Sequence, residues 1–252
     1  MQKYGRGLYD YNMTGTRLCC SFSRIPSQKN YCGPTSAHKE LAEFVRTGQN
    51  EGRVQELLSK FEGLHPYLCF IAERHNLKPF DYRVVEAYWI GNDLLDVFGR
   101  DDFKQLIPEL EKRGLPGSYA NRLREKIPIG AIPHHSFHVL FVGVGQLTGR
   151  LQTTLENMLN CMLSWGEVIS VDQNTAVVSG PVLRYNNNKF EMSMNGGRVV
   201  SYDPALIQPK QGDMIAVHWN ECAYILGREQ LQNLRKYTNF VIEAVNSAPS
   251  SS

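Results

Sequence analysis

Apolar positions in the first half of the chain recur every three or four residues, a spacing that predicts helices over 51–62, 65–76, 82–98, 102–113 and 118–126. Gly63, Lys78–Pro79, Gly99, Gly114 and Pro128 fall where those helices would break. Upstream, "YCGPTSAHKELAEFV" reads as a turn and a helix start, with Pro34 and Thr35 near the first turn. The first 30 or so residues are rich in Gly, Tyr, Ser and Arg and carry no period, so they read as a loop or short hairpin lying over the body. The stretch "YRVVEAYWIGNDLLDVF", 82–98, is apolar on nearly all sides and predicts a central helix. The run from Val139 to Val144 reads as a core strand or a helical turn.

Near residue 150 the period changes. Leu151, Leu155, Met158, Leu159 and Met162 make one stripe, an amphipathic helix with Cys161 in its last turn. Beyond it "WGEVISV", "TAVVSGPVL", "KFEMSM", "RVVSYD" and "DMIAVHW" are short strand-like runs separated by Asn, Gly and Pro turns, the signature of a small barrel. Leu231, Leu234, Thr238, Val241 and Val245 mark a closing helix over 228–246, and "SAPSSS" is a frayed tail. The expected class is α+β. A mainly α-helical domain over 1–150 precedes a small OB-like β-barrel with a C-terminal helix over 151–252, the two meeting near 148–152.

Composition removes several function classes. At 252 residues the chain can bury a core without covalent staples. A net charge of +2, with no more than two adjacent Lys or Arg, argues against a nucleic-acid partner. No apolar run approaches the roughly 18 residues a membrane span needs, and "MQKYGRGLYDYN" has no apolar segment of signal-peptide type. The expected location is the cytoplasm, with no membrane partner. The six cysteines form no CxxC pair and are expected as free thiols there. Cys69, in "HPYLCFIAERH", suits the ordinary role of a small core hydrophobe.

Candidate chemistry gathers at two places. In "IPHHSFHVLFVGVG", His134 and His138 are four residues apart and share a face whether the segment is helix or strand, with His135 between them. Neutral imidazoles so spaced can chelate one ion; the competing reading is that they hydrogen-bond at a domain seam. Glu86 lies in "VVEAYWI", where a carboxylate is either paired in the core or held in a pocket with a raised pKa. Glu73 and His65 join it as candidates for the surroundings of such an ion or for acid–base work. The second place is Cys161, a thiol between helix and barrel.

Cys161 opens the stretch Cys161-Met162-Leu163-Ser164-Trp165-Gly166-Glu167-Val168, followed by "VDQNTAVV". Later comes Gly212-Asp213-Met214-Ile215-Ala216-Val217-His218-Trp219-Asn220-Glu221-Cys222-Ala223, running into the last helix. With its motifs in this order, the last third of the chain resembles the small HypC/HupF chaperones of nickel–iron hydrogenase maturation. The resemblance implies that Cys161 and His218 lie at a site for an iron carrying cyanide and carbonyl ligands. It implies an accessory factor that handles or docks an iron centre through an exposed cysteine, with a hydrogenase large-subunit precursor or other maturation proteins as partners. A soft thiolate suits such an iron, and a neighbouring histidine would set its basicity. The alternative is a metal-dependent enzyme using the His134, His135 and His138 region of the helical domain. As a whole, the chain resembles an uncharacterised bacterial protein family with the same "HPYL…EAYW…GN…PHHSFHV" layout, which implies no mechanism.

Overall fold

The computed structural model describes residues 13–248; residues 1–12 and 249–252, with the parts of the predicted N-terminal loop and frayed tail they carry, lie outside it. Where the sequence predicts a loop or hairpin, Gly15–Gln28 forms helix α1, buried along nearly its whole length. Thr14 caps it by accepting from the Arg17 amide at 3.2 Å. Its Gly, Cys and Ser residues are small rather than exposed. They hide the period of Leu18, Phe22 and Ile25 and let the neighbouring chain approach: a Cβ on Gly15 would stand 2.2 Å from the Phe80 carbonyl oxygen.

Helices α2 (Ala37–Thr47), α3 (Glu51–Leu58), α4 (His65–His75), α5 (Tyr82–Trp89), α6 (Arg100–Glu111) and α7 (Gly117–Lys126) complete the helical half. The helix predicted over 82–98 stops early. Gly91 turns the chain at φ +96°, where its missing Cβ makes room for the Tyr237 ring, and a 3-10 turn follows over Asp93–Val97. The Val139–Val144 run is neither a strand nor an ordinary turn. A single helical turn, α8 (His135–Phe137), widens into a π-helix over His138–Gly143, a form often found at functional sites.

Helix α9 (Leu155–Cys161), capped by Thr154, leads into the barrel. Strands β1 (Ser164–Val171), β2 (Thr175–Asn186), β3 (Lys189–Ser201), β4 (Met214–His218) and β5 (Glu221–Ile225) close in the order β1-β2-β3-β5-β4, with β4 returning to β1. Neighbours are antiparallel except β3 and β5, which run parallel. "KFEMSM" and the start of "RVVSYD" form one strand, and the fifth strand is "ECAYI", too short to separate in sequence from the helix after it. The β4–β5 connection is a two-residue turn with Trp219 at φ +52° and Asn220 at φ +59°, the backbone of a type I′ hairpin. Helix α10 (Arg228–Asn246) closes the molecule. The expected class therefore holds: helices, a five-stranded closed barrel, then a helix.

Val168, Val178, Ile215, Val217 and Cys222 fill the barrel. A second apolar core runs from α1 through Leu163, Trp165 and Ala216 to α10 without a break at 148–152. A buried ion pair between Arg24 of α1 and Glu221 of β5 ties the two halves. Among the described residues no helix is long and apolar enough to cross a membrane.

Candidate metal centre

Three side chains from three elements meet where helices and barrel join. His135 comes from α8, Cys161 ends α9, and His218 ends β4. The Cys161 sulfur lies 4.0 Å from His135 Nε2 and 3.8 Å from His218 Nε2. All three donor atoms lie within 4.8 Å of one another, and among the described residues this is the one such group of three. His134 sets the approach: its Nδ1 caps α8 by accepting from the Ser136 amide at 3.2 Å. The Trp89 ring forms the floor, 4.4 Å from the His135 ring and 5.6 Å from that of His218.

The site is buried, with Cys161 8 %, His135 4 % and His218 1 % exposed. Burial pushes His135 down to about 4 and His218 well below the usual histidine range, so both imidazoles are neutral at pH 7. Burial also pushes the Cys161 thiol well above the usual cysteine range. A cation at the sulfur would reverse that, because a coordinated thiol gives up its proton.

The hydrogen bonds say which nitrogens are ready. His218 Nδ1 donates to the Phe22 carbonyl at 3.2 Å; a carbonyl only accepts, so Nε2 turns a lone pair toward the sulfur. His135 is in conflict. Its Nε2 faces the Cys161 carbonyl at 2.9 Å, its Nδ1 faces the Tyr88 hydroxyl at 3.3 Å, and that hydroxyl donates to the Gly63 carbonyl at 3.0 Å. A neutral imidazole and one hydroxyl have two hydrogens for these three contacts. A metal ion on Nε2 would replace the contact to the Cys161 carbonyl and leave two hydrogens for two bonds, with Nδ1 donating to Tyr88 and Tyr88 to Gly63. Metal–sulfur and metal–nitrogen bonds of about 2.3 Å and 2.0–2.1 Å at tetrahedral angles put sulfur about 3.6 Å from nitrogen, so the two sulfur–nitrogen distances need to close by only a few tenths of an ångström, while the two imidazole nitrogens, now within 4.8 Å, would have to draw in to about 3.3 Å. Two imidazoles and a thiolate suit zinc, iron or copper rather than magnesium or calcium.

A cavity of about 70 Å³ adjoins the three side chains. Leu64, Leu147, Leu151 and Trp219 form part of its wall, and His138 reaches it from the π-helix.

The remaining sequence candidates lie elsewhere. His134 is fully buried beside Tyr237, with ring centroids 6.4 Å apart, and does not join His138 in a ligand pair. His138 pairs instead with the Tyr67 hydroxyl at 3.1 Å. Glu86 receives hydrogen bonds from Tyr82, Asn92 and Gln230, each at 3.1 Å, and so joins α5 to α10. His65 contacts Cys69 and Arg113, while Glu73 is exposed on α4. None of Glu86, Glu73 and His65 lines the cavity. The exposed cysteine needs correction. α9 ends beneath the β4–β5 turn, fixed there by the Trp219 amide donating to the Asn160 carbonyl at 2.8 Å, and this covers the thiol. Strand alternation allowed His218 a place outside the core, but the helical half covers the outer face of β4. Ala216 and His218 are consequently as buried as Ile215 and Val217.

Sequence reasoning missed Tyr88 and Trp219. The only local signals are their places beside Trp89 and His218, and neither reveals a hydrogen bond across 47 residues, as from Tyr88 to His135.

The chain belongs to a family of unknown function (DUF6390), whose model matches residues 11–252. This accords with the whole-chain resemblance to an uncharacterised family and lends nothing to the HypC/HupF resemblance. No curated protein and no solved structure matches the chain.

Proposed function

We propose that this protein is a metal-dependent enzyme working through one transition-metal ion held by His135 Nε2, Cys161 Sγ and His218 Nε2. The observation that carries this reading is the placing of three buried side chains of ligand type on the wall of a cavity. Three protein ligands leave a tetrahedral ion one open position, the pattern of catalytic rather than structural sites. An ion there would act as a Lewis acid toward a molecule in the cavity. The ligand set differs from the one expected in the helical half alone: His135 stays, while Cys161 and His218 take the places of His134 and His138.

A second reading, an accessory factor for nickel–iron hydrogenase with iron as the metal, draws on one observation. Cys161 and His218, the two residues implied by the HypC/HupF resemblance, are neighbours. Burial of the thiol weighs against it, because a metal shared with a hydrogenase precursor needs a thiolate that the precursor can reach.

Metal analysis and infrared spectra of protein purified without oxygen separate the readings. One ion per chain without cyanide or carbonyl bands supports the resident centre. Iron with those bands supports the accessory role, and absence of metal from protein reconstituted with zinc, iron or cobalt overturns both.

A further inference from the structure

We propose that the cavity beside the three ligands takes a small monoanion, bound to the ion at one end, where the Trp219 Nε1–H can also reach it, and accepting a hydrogen bond from His138 Nε2 at the other. This rests on the metal centre proposed above and names what fills its open position. Three observations converge on it.

The first is a pair of N–H donors on the cavity wall, neither with an oxygen or nitrogen acceptor among the described residues. Tyr67 is fully buried and its hydroxyl meets only His138 Nδ1, at 3.1 Å, so its single hydrogen has that one acceptor. The hydroxyl therefore donates, and the hydrogen of the neutral His138 ring sits on Nε2. Nε2 has no acceptor among the described residues and stands over Gly63, where a Cβ would come within 2.8 Å of it. Trp219 is 8 % exposed, and its buried indole N–H has no oxygen or nitrogen acceptor; its neighbour for such a bond is the Cys161 sulfur, on the side of the cavity where the ion would sit. Trp219 also holds a left-handed backbone, φ +52°, that a bulky side chain rarely adopts. Strain of this kind clusters at functional sites.

The second is charge. A divalent ion with one thiolate and two neutral imidazoles carries a net +1, and no Asp, Glu, Lys or Arg lines the cavity. A monoanion would neutralise that charge inside an environment that screens it poorly.

The third is size. At about 70 Å³ the cavity is roughly half the volume of an apolar cavity known to hold benzene. That leaves room for a ligand of about two to four non-hydrogen atoms.

The test uses the full chain loaded with cobalt(II), and azide as the probe. Azide should move the cobalt absorption bands saturably, and benzoate, a monoanion too large for the cavity, should not. His138→Phe should weaken azide binding about tenfold or more, because it removes a hydrogen bond to a charged ligand; cobalt affinity should be unchanged. Trp219→Phe keeps a ring over the cavity while removing the other N–H, and should weaken azide in the same way, which covers a His138 variant that does not fold. Cobalt bands that azide leaves unmoved, benzoate binding as well as azide, or a folded variant of either residue with wild-type azide affinity would overturn the anion site alone. Failure of the wild-type chain to bind cobalt would remove the metal centre and this inference with it.

Discussion

Cys161 Sγ and His218 Nε2 stand 3.8 Å apart across 57 residues of sequence, with the imidazole's lone pair turned toward the sulfur by its other nitrogen's bond to Phe22. The thiol ends a helix, the imidazole ends a barrel strand, and the carbonyl that orients the imidazole belongs to the first helix. The pair thus depends on packing between the two halves of the chain, and the consequences can be measured.

Tyr88→Phe should weaken metal binding about 10- to 100-fold, the usual cost of losing a group that orients a ligating histidine. Phenylalanine cannot accept from His135 Nδ1, so the ring loses what holds its Nε2 free for an ion. Tyr67→Phe, the same change on a ring 5.3 Å away, should leave metal affinity unaltered. Equal losses in zinc titrations of the two variants would refute the orienting role.

Ion binding near pH 7 should release one proton. The Cys161 thiol is held well above its ordinary range and is protonated, whereas His135 and His218 are already neutral. Apparent affinity should rise about tenfold per pH unit below the thiol pKa. Calorimetry in buffers of different ionisation heat counts the protons, and a count of zero or two would contradict this ligand set.

Acid should unfold the metal-free protein early. Burial pushes His134 and His138 to about 3 and His135 to about 4, with His218 also well below the usual range. The unfolded chain takes up protons below about pH 6.5 that the folded chain refuses. Stability should not vary through these groups above that pH, and should fall as pH drops from about 6.5 toward 4. Each histidine contributes up to about 1.4 kcal/mol per pH unit over that window. Urea melts at pH 7.5, 6 and 5 measure the trend; equal stability at all three would rule it out.

Glu221→Gln should destabilise the fold by about 3–5 kcal/mol, because it leaves the Arg24 guanidinium buried without its counter-charge. Chemical denaturation gives the value, and a loss below about 1 kcal/mol would mean that the pair contributes no more than an exposed one.

The helical half, the barrel and the closing helix were legible because apolar spacing survives in sequence. Helix α1 was not, because Gly15, Cys19, Ser21 and Ser23 are buried by being small, and polarity alone does not register size. β5 was lost because five residues between a tight turn and a helix carry too little alternation. At the site, the thiol and all three clustered histidines were singled out, but with the wrong partners within the cluster. Four-residue spacing favoured His134 with His138, whereas the short α8 and the π-helix after it send His134 toward Tyr237 and His138 toward Tyr67. His135 was left to face the barrel, and only the tertiary contact between α8, α9 and β4 could show that.

The most direct test of the metal centre is X-ray absorption on the full-length protein reconstituted with one equivalent of zinc, read beside the Cys161→Ala and His218→Ala variants. The wild-type spectrum should show one sulfur at about 2.3 Å and two imidazole nitrogens at about 2.0–2.1 Å, with the sulfur lost in Cys161→Ala and one imidazole lost in His218→Ala. A zinc ion without a sulfur neighbour in the wild-type protein, or one whose ligands are unchanged in both variants, would contradict the account.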